Sequence, residues 1–94
     1  MVQPPPVNRV LRDLQRLKDS KHGWGQSFYG RLLRKAGFLP REGKKHTIYV
    51  DPDDHDNVVI VPRHGELLSY VADQAIEAIE KRTERLRQDD SQNT

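Results

Sequence analysis

Hydrophobic positions recur with helical spacing in the first third of the chain, and this pattern predicts two helices. The first helix, residues 8–20, has Asn8 as its predicted N-cap. Its apolar positions are Val10, Leu11, Leu14 and Leu17. The second helix, Phe28 to Ala36, is predicted to begin after Ser27 as its cap and to end before Gly37. Its inward residues are predicted to be Phe28, Leu32, Leu33 and Ala36.

Three short segments in the middle of the chain have the composition of β-strands. The first, Phe38 to Arg41, contains Pro40, which suits a strand at the edge of a sheet. His46 to Val50 and Val58 to Val61 are rich in β-branched and aromatic residues. The acidic segment Asp51 to Asn57 is predicted to be a loop that joins the last two strands into a hairpin.

A third helix is predicted from about Glu66 or Leu67 to about Arg87. Its predicted buried stripe consists of Leu68, Val71, Ala72, Ala75, Ile76 and Ile79. We expect a disordered Pro-rich lead over residues 1–7, an N-terminal helical extension over 8–22, a main domain over 23–88 and a disordered tail over 89–94. The order of elements indicates an α+β fold, in which helices pack on one face of a three-stranded antiparallel sheet.

Composition limits the classes of protein to consider. A chain of 94 residues allows one domain with a modest core. No apolar run approaches the roughly 20 residues that span a bilayer, and the N-terminus lacks the pattern of a signal peptide. Without cysteine the chain has neither a disulfide framework nor a thiolate metal site. We therefore expect a cytoplasmic protein that does not enter a membrane.

Charge is divided along the chain, although the net charge is only +2. Residues 1–50 contain eleven basic and three acidic residues, a net of +8, whereas residues 51–94 contain five and eleven, a net of −6. This division predicts a cationic face for a polyanion and a separate face for another partner. The acidic cluster in residues 51–56 lacks the glycine and the distal glutamate of a calcium loop. We interpret the cluster as a solvated turn and predict no metal site and no cofactor.

Two short segments place a histidine among cations. One carries His46 directly behind Lys44 and Lys45, and the other carries His64 directly behind Arg63. An imidazole ordinarily titrates near neutral pH and can act as a base or an acid, and the cations can stabilise charge on a phosphorane. This combination suits the cleavage of RNA, with the three cations also contacting its phosphates.

Each candidate also has a structural interpretation. His46 is either catalytic or a surface strand residue, and His64 is either a second acid or base or a residue that shapes the approach to the last helix. Tyr49 either stacks on an RNA base or belongs to the core. Trp24 and Phe28 either form an interaction patch or pack beneath the first helix.

The stretch from about Phe28 to Ile79 resembles the HicA family, small mRNA interferases of toxin–antitoxin systems whose fold is similar to the double-stranded RNA-binding domain. In that family a Gly-Ser-His sequence opens a strand, an aromatic residue follows it, and a Val-Pro-x-His-Gly segment precedes the closing helix. The matching segments are Ala36-Gly37-Phe38, Gly43-Lys44-Lys45-His46 with Tyr49, and Val61-Pro62-Arg63-His64-Gly65. Lys45 stands where the family usually has serine.

The resemblance implies that His46 is the catalytic histidine, that mRNA is the substrate and that a HicB-type antitoxin silences the protein. We expect such a partner to cover His46 and an exposed polar sheet face around it. The helix over residues 8–20 extends beyond the smallest members of the family. Two other functions stay open: a noncatalytic RNA-binding module of the double-stranded-RNA-binding type, and a protein-interaction unit that docks a partner through its last helix.

Overall fold

The structure is a computed structural model, and it describes residues 7–65, 67 and 69–92. This part of the chain forms α1 (Val7–Asp19), α2 (Gln26–Lys35), β1 (Leu39–Glu42), β2 (His46–Asp51), β3 (Asp54–Pro62) and α3 (Ser69–Gln92). The strands form an antiparallel sheet in the order β1-β2-β3. The α+β class and the three-stranded antiparallel sheet are confirmed, and the strand that contains Pro40 lies at an edge as predicted.

The core lies between one face of the sheet and the helices. Tyr49, Val59 and Val61 are buried on the inner sheet face, where α2 and α3 contact the strands. Helix α1 contacts α2 and α3. It buries Val10, Leu14 and Leu17 against them, which confirms most of its predicted apolar stripe. Leu11 of that stripe is exposed.

The start of α2 differs from its prediction, whereas its end agrees. The N-cap is Gly25 and no side chain caps the helix, so the prediction that Ser27 is the cap is wrong. At the other end, Gly37 has a φ of +97°, which favours glycine. Its amide donates to the Arg34 carbonyl over 3.0 Å, and the Phe38 amide donates to the Leu33 carbonyl over 2.9 Å. This Schellman pattern terminates the helix.

The predicted acidic loop is largely a strand. Strand β3 begins at Asp54, so only Pro52 and Asp53 turn between β2 and β3. The register shifts between Val50 and Asp51. The prediction of a solvated seven-residue loop is wrong, because β2 and β3 remain paired as far as Asp51 and Asp54, and Arg82 and Arg85 of α3 hold Asp51 inside the protein.

Helix α3 begins at Ser69 and buries Val71, Ala72, Ala75 and Ile79, as predicted from their spacing. Ile76 is partly buried, whereas Leu68 lies outside the described residues. The helix continues to Gln92, past its predicted end near Arg87, and therefore includes residues 89–92, which sequence analysis assigned to a disordered tail. Residues 1–6 of the predicted lead and residues 93–94 of the predicted tail also lie outside the described part. None of the described helices combines the length and the apolarity needed to cross a membrane.

Candidate functional site

A two-residue turn, Lys44-Lys45, joins β1 to β2 and fixes the backbone at His46. The Gly43 amide donates a hydrogen bond to the His46 carbonyl oxygen over 2.9 Å. A Cβ atom at residue 43 would lie 2.9 Å from the same oxygen, closer than real Cβ atoms approach backbone. The turn therefore requires glycine, and it sets two exposed lysines directly beside His46.

His46 lies on the sheet face that the helices leave open. It pairs with Pro62 of β3, and the alternation of side chains places it on the same face as Ile48 and Ile60. Its side chain is exposed. No ring nitrogen of His46 forms a hydrogen bond or an ion pair with the described residues, so the imidazole is accessible to a ligand.

Arg41 shares this face with His46, and sequence analysis did not select it. Arg41 is exposed and pairs with Ile48, two residues beyond His46 on the neighbouring strand. Such diagonal neighbours are about 7 Å apart, within reach of an arginine side chain. The signal that could have revealed Arg41 is the register of β1 against β2, which the sequence alone does not specify.

Arg63 faces away from His46. Its guanidinium forms an ion pair with Glu42, which pairs with Thr47 on the inner side of the sheet. Its backbone is also fixed, since its amide donates to the Lys45 carbonyl over 3.0 Å and its carbonyl accepts from Gln26 Nε2 over 3.1 Å. Arg63 therefore anchors the end of β3, and its predicted role beside His46 is not supported by this geometry.

Tyr49 and His64 differ in accessibility. The Tyr49 ring is buried beneath α2, where its hydroxyl would lie 3.0 Å from a Cβ atom placed on Gly30. A buried ring cannot stack on a base, so the predicted RNA contact of Tyr49 is replaced by its core interpretation. His64 is exposed in the segment after β3, and Gly65 follows it with a φ of +85°. Of the two histidines in the predicted site, only His46 is placed within the sheet.

The open sheet face is mainly apolar, contrary to the expectation of a polar face around His46. Its members are adjacent in the ladder, where Leu39 pairs with Val50, Val50 with Val58, and Ile48 with Ile60. Leu39 is 59% exposed and Ile60 is 41% exposed, and the remaining members, Ile48, Val50 and Val58, are half-buried. The expectation failed because the continuous apolar run of β3 supplies hydrophobic residues to both faces of the sheet.

Asp51 forms a buried ion network that sequence analysis missed. Its side chain is 0% exposed. Arg82 Nη1 lies 2.8 Å from Asp51 Oδ1, Arg85 binds Oδ2, and Asn57 Nδ2 donates to Oδ2 over 3.2 Å. Arg82 Nη1 also lies 2.8 Å from Asp53 Oδ2. The turn of the hairpin is thereby tied to α3.

The same network reaches two further backbone groups. Arg82 Nε donates to the Ala36 carbonyl over 2.8 Å, so one guanidinium joins the end of α2, the hairpin turn and α3. Asn57 Nδ2 donates to the Ala78 carbonyl over 3.0 Å. This complete set of partners indicates a structural role for Asp51 rather than a binding site.

Hydrogen bonding determines the protonation state of Asp51. Burial by itself would raise the pKa of this carboxyl, but hydrogen bonds from the Asp53 amide, Arg85 and Asn57, together with the charge of Arg82, outweigh burial and hold its pKa below the ordinary value. The bond to Asp51 correspondingly raises the pKa of Arg85. Both groups are therefore charged near neutral pH.

Trp24 and Phe28 stack on each other with ring centroids 4.2 Å apart, and both are partly buried against the core. The Arg16 guanidinium lies 5.5 Å from the centre of the Trp24 ring. Trp24 Nε1 donates to the Ser20 carbonyl over 2.6 Å, so its polar group is satisfied within the protein. These contacts favour the packing interpretation of the aromatic pair.

The described residues contain no group of three histidine, aspartate or glutamate side chains arranged to hold a metal ion. Comparisons of the chain with protein-family models, with curated proteins and with solved structures found no significant match.

Proposed function

We propose that this chain is the toxin of a type II toxin–antitoxin system, a metal-independent mRNA interferase that cleaves RNA with His46. The observation that carries the proposal is the exposed imidazole of His46 on an open sheet face, directly behind a turn of two exposed lysines. The order of α2, the three strands and α3 supports the proposed similarity to the HicA family and to the double-stranded RNA-binding domain.

Cleavage in this site needs a base, an acid and positive charge. His46 takes the proton of the 2′-hydroxyl, the 2′-oxygen attacks the adjacent phosphorus, and the bond from phosphorus to the 5′-oxygen breaks. The products are a 2′,3′-cyclic phosphate and a 5′-hydroxyl, whose proton comes from the histidinium or from His64. Lys44, Lys45 and Arg41 stabilise the added charge of the phosphorane. Arg63, paired with Glu42, serves the site only by holding its backbone.

The open apolar sheet face supports the proposal of a HicB-type antitoxin as partner. Exposed aliphatic side chains such as Leu39 and Ile60 give an interface its buried centre, and Arg41, Lys44 and Lys45 form a basic rim at one end. A partner with an apolar centre and acidic residues facing this rim would bury His46 together with the face. Inhibition by occlusion follows from this placement.

Cleavage is tested with His46→Ala and with His55→Ala as a matched control at the other end of β3, where the side chain is also exposed. We expect His46→Ala to abolish cleavage of mRNA and growth inhibition, and His55→Ala to retain both, in buffer that contains a metal chelator. RNA binding without cleavage by the wild-type protein would support the noncatalytic RNA-binding module instead. Full cleavage by a folded His46→Ala protein would refute the mechanism.

Partner binding is tested with the HicB-like protein that this proposal expects to be encoded beside the gene. Ile60→Ser should weaken the complex, whereas Tyr70→Ser, which changes an exposed aromatic residue on α3, should not. Hydrogen exchange should show protection of β2 and β3 in the complex. If the partner protects α3 alone and leaves His46 accessible while cleavage stops, the occlusion model is wrong.

A further inference from the structure

A second concentration of positive charge lies on the helices, away from the His46 turn. We call it the cationic helix surface, and its members are Arg12, Arg16, Arg31, Arg34 and Lys35. All five side chains are exposed. They come from two helices in contact, and a surface cavity of about 170 Å³ lies between these helices.

This charge is poorly balanced within the protein. Arg16 and Lys35 share one carboxylate, Asp13, at 3.8 and 3.5 Å. Within the described part of the chain, Arg12, Arg31 and Arg34 form no ion pair with a carboxylate. Among the described residues, Asp13 is the only carboxylate that pairs with these five cations.

The opposite side of α1 and the residues just after this helix show a different arrangement. Lys18 lies 3.2 Å from Glu80, and Lys21 lies 2.7 Å from Asp73, both on α3. Lys18 and Lys21 thus each have a carboxylate of their own, whereas the five cations of the cationic helix surface share Asp13 alone among the described residues. Like charges one helical turn apart, such as Arg31 and Lys35, repel each other unless an anion binds between them.

The position of α2 relates this surface to His46. Gln26 at the start of α2 donates to the carbonyl of Arg63, which places that helix end beside the end of the sheet where His46 lies. From there the ten residues of α2 extend about 15 Å, past the edge strand β1 with which α2 is in contact. A chain of phosphates that leaves His46 on the open sheet face has to pass around the edge strand β1 to reach this helix.

We propose that the cationic helix surface binds the phosphate backbone of RNA on one side of the cleaved bond. The inference rests on the proposed ribonuclease function and adds the route of the substrate across the protein. Arg31, Arg34 and Lys35 on α2 contact successive phosphates, and Arg16, held over the Trp24 ring, adds a contact from α1. Binding by this surface is independent of base sequence.

The test compares two triple variants that remove the same charge. One is Arg31→Gln, Arg34→Gln and Lys35→Gln, and the other is Lys18→Gln, Lys21→Gln and Arg87→Gln on the α3 side. All six side chains are exposed. Both are made in the His46→Ala protein so that RNA stays intact, and thermal unfolding confirms that each folds. The probe is a fluorescein-labelled single-stranded RNA titrated at several salt concentrations.

We expect the α2 variant to lose about 100-fold in affinity for RNA at 0.1 M salt. Each phosphate contact with a single strand adds about 0.7 to the slope of log affinity against log salt concentration, so the loss of three contacts lowers this slope by about 2. The α3-side variant should bind within about threefold of its parent. Equal losses in both variants would show that net charge alone matters, and an unchanged slope in the α2 variant would show that RNA runs elsewhere. Either result overturns the proposal.

The two proposals fail in different ways. If the protein with an intact His46 does not cleave RNA but the α2 variant loses affinity as expected, the ribonuclease proposal fails and the RNA surface stands. If cleavage depends on His46 but the α2 substitutions, made in the cleaving protein, leave the KM for RNA unchanged, the surface proposal fails and the ribonuclease stands. Absence of any RNA binding contradicts both.

Discussion

Replacing Asp51 by alanine tests whether the buried ion network stabilises the fold. The substitution removes a carboxylate with 0% exposure that Arg82, Arg85 and Asn57 all contact. These three groups lose a partner at once, and the amide of Asp53 loses the 2.9 Å bond that it donates to Asp51 Oδ1. A buried charge left without its partner is costly because water does not replace the lost contacts.

The size of the effect follows from what each partner retains. Breaking a buried ion pair usually costs 3–5 kcal/mol, and the low end of about 3 kcal/mol applies here. Arg85 can turn to water because its side chain is 29% exposed, and Arg82 keeps the Ala36 carbonyl and Asp53. For a domain of this size, about 3 kcal/mol corresponds to a fall in Tm of at least about 12 °C.

Urea denaturation followed by circular dichroism measures the free energy of unfolding of both proteins. Asp56→Ala is the matched control, because Asp56 is exposed on β3 and its carboxylate forms no ion pair within the described residues. We expect the control to change the free energy by less than about 0.5 kcal/mol. A loss below about 1 kcal/mol for Asp51→Ala would refute the reasoning, since the network would then contribute no more than surface ion pairs do.

Three further predictions concern stability. The pKa of Asp51 is lower in the folded than in the unfolded protein, so the carboxylate stabilises the fold fully above about pH 4 and loses this effect as the pH falls through its folded pKa. Below pH 4 the free energy of unfolding of the wild type should therefore fall more steeply with pH than that of Asp51→Asn. Gly37→Ala should cost about 1–3 kcal/mol more than Gly23→Ala in urea denaturation, because both residues have positive φ but only at Gly37 would the Cβ lie 2.7 Å from Nη2 of Arg82, a buried side chain that the ion network holds in place. Leu33→Ala, at a position with 0% exposure, should cost about 2–5 kcal/mol, and a smaller loss in the same assay would mean that the core beneath α2 is loosely packed.

The sequence predicts the elements well where local chemistry determines them. Gly37 ends α2 because glycine tolerates the required positive φ, and Pro40 marks an edge strand because it lacks an amide donor. His46 at the start of a strand is likewise a local feature, and the structure places it there. What these positions share is that neighbouring residues in the chain suffice to determine them.

Features that depend on distant residues were not predicted. The sequence around Asp51 is typical of a solvated turn. No neighbouring residue indicates that Arg82 and Arg85 bind this carboxylate, since they follow it by 31 and 34 positions. A usable signal exists in α3, where Arg82 continues the helical spacing of the buried residues Ala75 and Ile79. A charged residue on an apolar stripe implies a buried partner, and the densest cluster of carboxylates in the sequence is the one that contains Asp51.

The guanidinium of Arg82 has a consequence for the kinetics of folding. Its partners are separated from it by 46 residues at Ala36 and by 31 at Asp51, whereas the hairpin that contains Asp51 closes through a two-residue turn. Closing a short loop costs less conformational entropy than closing a long one, so we expect the hairpin to form early and the contacts of Arg82 to form after the rate-limiting barrier. Removing Arg82 should therefore accelerate unfolding and leave the rate of folding nearly unchanged. The ion network around Asp51 then limits the rate of unfolding, whereas the local hairpin limits the rate of folding.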